Sequence, residues 1–124
     1  MKKFSLYSLL TVFALLTASN AYAYDLEVDG IYYNLDMDNY TASVTYGDNK
    51  YAGDVVVPST IQYKTVKFDV MAIGESAFSE CKALTSVKIA EGITKIGSWA
   101  FYNSENLVEV VIPSTVKTIS GRAF

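Results

Sequence analysis

Ile96-Gly97-Ser98-Trp99-Ala100-Phe101 has two echoes, one 23 residues upstream at Ile73-Gly74-Glu75-Ser76-Ala77-Phe78 and one 23 residues downstream at Ile119-Ser120-Gly121-Arg122-Ala123-Phe124. The stretches between them hold the same register. Leu84, Val87, Ile89 and Ile93 return as Leu107, Val110, Ile112 and Val116, each 23 positions later. Apolar residues matched in order at one spacing mark a repeat architecture, which takes precedence over any strand-by-strand assignment.

Within a unit, Val87 and Ile89 lie two apart, as do Val110 and Ile112. A strand sends alternate side chains to opposite faces, so these pairs share one face while Ser86, Lys88, Glu109 and Val111 take the other. One such coil cannot hide its apolar face. Coils stacked side by side make their strands parallel neighbours and align the recurrent Leu, Val, Ile, Ala and Phe into columns inside a solenoid. Gly92, or Pro113-Ser114-Thr115, turns the chain out of the strand, and the Ile-Gly-x-x-Ala-Phe segment carries it back. Its glycine is expected to supply a backbone angle that side chains resist. Its alanine suits a place where coils lie close, and its aromatic ring suits the wide end of the core.

The units at 84–101, LTSVKIAEGITKIGSWAF, and 107–124, LVEVVIPSTVKTISGRAF, closely resemble the bacterial BspA-like leucine-rich repeats, whose 23-residue unit carries L-x-x-V-x-I-P-x-S-V-x-x-I-G-x-x-A-F. The general leucine-rich pattern expects Asn or Cys eight residues after the first Leu. Here Gly92 and Thr115 stand there, and the next apolar residue arrives one place early. Ala90-Glu91-Gly92 replaces Pro-x-Ser in the first unit, and Ser120-Gly121 shifts the glycine by one in the last. The resemblance implies a mainly β fold, a leucine-rich repeat solenoid of short parallel strands with an N-terminal antiparallel β cap. It also implies a secreted or cell-surface bacterial protein, an adhesin-like module for protein ligands such as extracellular matrix or other cell-surface proteins. A structural spacer displaying a downstream domain, or a glycan-binding module, are the alternatives.

Upstream of residue 73 the pattern loosens. Val57-Pro58-Ser59-Thr60-Ile61 reads like Ile112-Pro113-Ser114-Thr115-Val116, but nine residues have been inserted before Ile73, and Tyr63, Val66, Phe68 and Val70 suit a small hairpin. Leu26-Glu27-Val28 and Ile31-Tyr32-Tyr33 flank Asp29-Gly30, a strong hairpin signal, and Tyr40, Ala42, Val44 and Tyr46 alternate with hydroxylated residues. We therefore expect an N-terminal β cap over 24–50, a degenerate first repeat with its insertion over 51–72, and regular repeats over 73–124 that look truncated at the C-terminus. A separate small sandwich over the same residues would have too little core. If no further coil follows, Phe124 and the columns behind it should drive self-association.

Lys2-Lys3, the apolar run Phe4 to Leu16 and Ala21-Tyr22-Ala23 fit a secretory signal over 1–23 better than a retained anchor, since the run is shorter than a membrane span requires. The chain carries ten Lys plus Arg and thirteen Asp plus Glu. Without Lys2 and Lys3 that leaves eight against thirteen, a net charge of −5, which argues against nucleic acid as a partner. The lone Cys81 cannot close an internal disulfide, and a buried packing role suits it better than a reactive thiol.

No histidine is present, which removes the common catalytic triads and the commonest metal ligand. Asp36-Met37-Asp38-Asn39 begins like a calcium loop but lacks the later ligands and fits a polar turn. Asn39-Tyr40-Thr41 is a glycosylation triplet that a bacterium would leave unused. No catalytic, cofactor or metal residue is assigned. The candidate partner-binding surface is the outward strand face, lined coil by coil by Asp54 and Val56, Ser86 and Lys88, and Glu109 and Val111. Tyr32 and Tyr51 are secondary candidates, because tyrosine favours recognition surfaces.

Overall fold

The computed structural model describes residues 24–124, so the signal expected over 1–23 lies outside the described residues. β1 (Leu26–Val28) and β2 (Ile31–Asp36) form an antiparallel hairpin around Asp29 and Gly30, whose φ angles are 50° and 83°. Consecutive positive φ angles give the turn whose twist matches its strands, and Asp-Gly adopts them at low cost. β3 (Thr41–Thr45) then adds antiparallel to β2, with Tyr33 opposite Val44. In the turn between them the Asp36 carboxylate accepts hydrogen bonds from the amides of Asp38 and Asn39 at 3.0 and 3.1 Å. That stretch is a polar turn built on its first aspartate.

β4 (Gly53–Val57) opens a second sheet, and β5 (Thr60–Tyr63) and β6 (Val66–Ile73) form the inserted hairpin, with Ile61 opposite Phe68. β6 then joins two regions. It pairs in parallel with β3 on one side and with β8 (Lys95–Ile96) on the other, and β10 (Thr118–Ile119) follows β8. This sheet runs β1-β2-β3-β6-β8-β10, with β5 against β6, while β4, β7 (Leu84–Ile89) and β9 (Glu109–Val111) form a three-stranded parallel sheet. The cap is therefore hydrogen-bonded edge to edge with the repeats.

Buried residues of both sheets and the returning segments, among them Val44, Ile73, Phe78, Leu84, Val87, Ile96 and Phe101, form one apolar cluster. Each such aliphatic side chain contributes about 1.5–3 kcal/mol through burial. The recurrent aromatics stack along the solenoid. Ring centroids are 4.6 Å apart for Tyr51 and Phe78, 5.3 Å for Phe78 and Phe101, and 5.1 Å for Phe101 and Phe124.

The repeat glycines work differently from the expectation. Neither Gly74 nor Gly97 has a positive φ; that angle falls two residues later, at Ser76, Trp99 and Arg122, between 54° and 60°. What the glycines supply is room. A Cβ on Gly74 would stand 2.8 Å from the carbonyl oxygen of Val44, and one on Gly97 would stand 2.9 Å from the amide nitrogen of Glu75. The left-handed residues are held by the next coil instead, through bonds such as Ser76 N–H to Ser98 O and Phe78 N–H to Ala100 O.

Cys81 is buried beside Ser104 of the following coil. The Ser104 hydroxyl donates to the Phe78 carbonyl at 2.6 Å and accepts from the Cys81 amide at 3.0 Å. Burial pushes the Cys81 thiol up, outweighing the hydrogen bonds that pull it down. Thiolate is the reactive form, so an aromatic disulfide reagent at neutral pH should label Cys81 at least about 100-fold more slowly in the native protein than in urea. Labelling at comparable rates would place the thiol at the surface.

Candidate functional site

The β4-β7-β9 sheet presents one face to solvent. Its register sets Asp54 beside Ser86 and Ser86 beside Glu109, then Val56 beside Lys88 and Lys88 beside Val111. Val55, Val87 and Val110 align on the opposite face, toward the core. The six residues expected on the outer face thus lie in two rows, with strands about 4.8 Å apart. Along one row a cation sits between two valines, with Val56 63 % exposed. Lys88 makes no ion pair; among the described residues the pairs are Lys67 with Asp69 and Lys82 with Glu105.

Asp54 is anchored. Its Oδ1 accepts from the Ser86 hydroxyl at 2.8 Å and from the Thr85 hydroxyl at 3.0 Å, and these bonds hold its carboxyl below the usual aspartate range. Two hydroxyls reach it because the register slips between Gly53 and Asp54, so that Gly53 faces Leu84 and Asp54 faces Ser86. Such a bulge turns neighbouring side chains to one face. Thr85, and Val108 at the same place in the next coil, were missed as surface residues. The signal was present: Leu84 and Val87 are both buried yet three apart, which a strand of strict period two cannot achieve.

A depressed carboxyl keeps its bonds above the ordinary range and loses them as pH falls through the lowered value. An NMR titration should therefore give Asp54 a midpoint below the ordinary value of about 3.9. Ser86→Ala should raise it more than Thr85→Ala, and a midpoint at or above the ordinary value would contradict the contact.

Tyr32 and Tyr51 lie off the outward strand face. Both are buried, and the Tyr51 hydroxyl accepts from the Tyr32 amide at 3.0 Å while donating to the Thr45 carbonyl. Tyr32 turns inward from β2, and Tyr51, at the start of the first repeat and on no strand, packs its ring against Tyr32 and Phe78.

The family model for the BspA type leucine rich repeat region matches residues 56–124, in six copies. The chain belongs to the BspA-type leucine-rich repeat family. A leucine-rich repeat protein from Bacteroides ovatus is 35 % identical, with a TM-score of 0.70 over 76 % of this chain and 25 % of its own. A leucine rich cell surface protein from Faecalibacterium prausnitzii is 33 % identical, with a TM-score of 0.67 over 80 % of this chain and 27 % of its own. The T. pallidum leucine-rich repeat protein, at 24 % identity and a TM-score of 0.64, shares the fold over 76 % of this chain and 42 % of its own. This BspA-type chain spans about a quarter of the length of the first two. No curated protein matches it. BspA-type repeats generally serve as protein-interaction modules rather than enzymes. Among the described residues no helix is long and apolar enough to cross a membrane.

Proposed function

We propose that this chain is an exported, non-catalytic binding module that contacts a host or neighbouring-cell protein through the outward face of β4, β7 and β9, as an adhesin does. The observation that carries the reading is the row Val56, Lys88, Val111: a cation without an ion pair, set between exposed valines on a rigid parallel sheet. Apolar area supplies affinity at such a patch, and the flanking Lys88 and Glu109 supply orientation and rate. Export rests on the signal-like residues 1–23 and on the likeness to a cell surface protein.

The test is surface plasmon resonance of the full chain against a panel of immobilised extracellular matrix proteins. Exchanging the charges, Lys88→Glu with Glu109→Lys, should weaken the strongest interaction by about tenfold or more. Binding unaffected by the exchange would remove the strand face from the reading.

A further inference from the structure

Among the described residues the three-stranded sheet ends at β4, and the edge left there opens into a groove whose far wall is the tip of the β1–β2 hairpin. β4 uses alternate residues to reach β7: Gly53 N–H bonds to the Ala83 carbonyl, and the Val57 carbonyl accepts from Ala90 N–H. In a parallel ladder both polar groups of a residue point to the same side, so the N–H and C=O of Asp54 and Val56 face away from β7. Neither β1 nor β2 pairs with them. An unpaired strand edge is a template for another strand, and proteins that leave one open either blunt it or use it.

Two adjoining hollows flank the edge, of about 420 and 380 Å³, and Asp29, Ile31 and Val56 line both. The first has an acidic rim of Glu27, Asp29 and Asp54 against a single cation, Lys50, whose ammonium is drawn off to the Ser79 carbonyl at 3.2 Å. The second is largely apolar, with Val28, Pro58 and Ile61 on its walls. Acidic at one end and apolar at the other, the groove selects a direction as well as a shape. It also disfavours a second copy of this chain, whose own β4 edge brings Asp54 and no free cation to the acidic rim, Lys50 being drawn to Ser79.

We infer that the β4 edge captures an extended peptide segment of a partner protein, adding it as a fourth strand, with Lys or Arg side chains over the acidic rim and an apolar side chain in the second hollow. Five residues of β4 span about 17 Å, so five or six partner residues fill the site. The site shares Asp54 and Val56 with the strand face but turns away from it toward the hairpin tip: Lys88 and Glu109 do not line the groove, and Glu27 and Asp29 do not line the face.

The probe is acetyl-Lys-Thr-Arg-Val-Thr-Val-amide added to the full chain, followed by NMR hydrogen exchange and by titration. The amides of Asp54 and Val56 should become protected, N-methylation of alternate peptide amides should weaken binding by more than about tenfold, and a Glu-for-cation peptide should not bind. The double variant Glu27→Gln with Asp29→Asn, which keeps a good turn pair, should weaken binding about fivefold. Lys88→Glu with Glu109→Lys should leave it unchanged, so this site and the strand face fail separately. Binding without protection of those amides, equal binding of the acidic peptide, or their protection by dimerisation before any peptide is added would each overturn the assignment.

Discussion

Gly97→Ala should lower the unfolding free energy by about 2 kcal/mol, and Gly97→Val should prevent stable folding. The added Cβ would stand 2.9 Å from the Glu75 amide nitrogen, 3.0 Å from the Gly74 carbonyl carbon and 3.2 Å from the Glu75 Cα, all backbone atoms of the preceding coil. Backbone cannot swing aside as a side-chain tip can. The coils must part, and separation stretches the bond from Gly97 N–H to the Ile73 carbonyl, now 2.8 Å, together with the apolar contacts beside it. A protein with a total stability on the order of 5–15 kcal/mol absorbs the alanine but not the larger valine. Gly121→Ala is the control, since nothing lies within 4 Å of its Cβ position and its φ is not positive. The third unit carries Ser120 where Gly74 and Gly97 stand, with its amide bonded to the Ile96 carbonyl at 2.9 Å. Urea unfolding followed by circular dichroism checks the series; a Gly97→Ala protein as stable as Gly121→Ala would show that the coils are not in close contact.

The repeat, the parallel strands and the outer face were legible because they rest on period. Side chains at two-residue and 23-residue spacing have their neighbours fixed once coils stack, so Ser86 and Glu109 fall into register directly, and Asp54 joins them once the nine inserted residues are allowed for. Backbone angles were not legible at the return turn. Ser76, Trp99 and Arg122 share a left-handed conformation but no chemistry, and Ser76 N–H and Trp99 N–H are each held by a carbonyl of the following coil. A tertiary cause of that kind leaves no local residue preference to read. The burial of Tyr32 and Tyr51 was hidden for a related reason. Alternation showed that half of the cap aromatics turn inward, but which half depends on where β3 meets β6, a pairing that follows from the inserted hairpin. The β4 edge was hidden in the same way, because an edge exists only once the sheet order is known.

The largest side-chain effect should come from Phe78→Ala, at about 3–5 kcal/mol, with a declining series along the ladder toward Phe124. Phe78 is fully buried between Tyr51 of the degenerate first repeat and Phe101 of the next coil, its ring within 1° of parallel to that of Phe101. Truncation removes a buried ring and both aromatic contacts, each worth about 0.5–1.5 kcal/mol beyond area. The cavity cannot close, because the Phe78 amide is fixed to the Ala100 carbonyl at 2.7 Å and its carbonyl to the Ser104 hydroxyl. Phe101 is buried as well but stacks outward on Phe124, which is 61 % exposed, so its truncation should cost less and that of Phe124 under about 1 kcal/mol. Phe78→Leu separates volume from ring chemistry and should recover more than half of the loss. The order Phe78, Phe101, Phe124 in urea midpoints is the expected result. Equal losses at all three would mean that Tyr51 does not seal the end of the ladder, since its contact is what distinguishes Phe78 from the ring that follows.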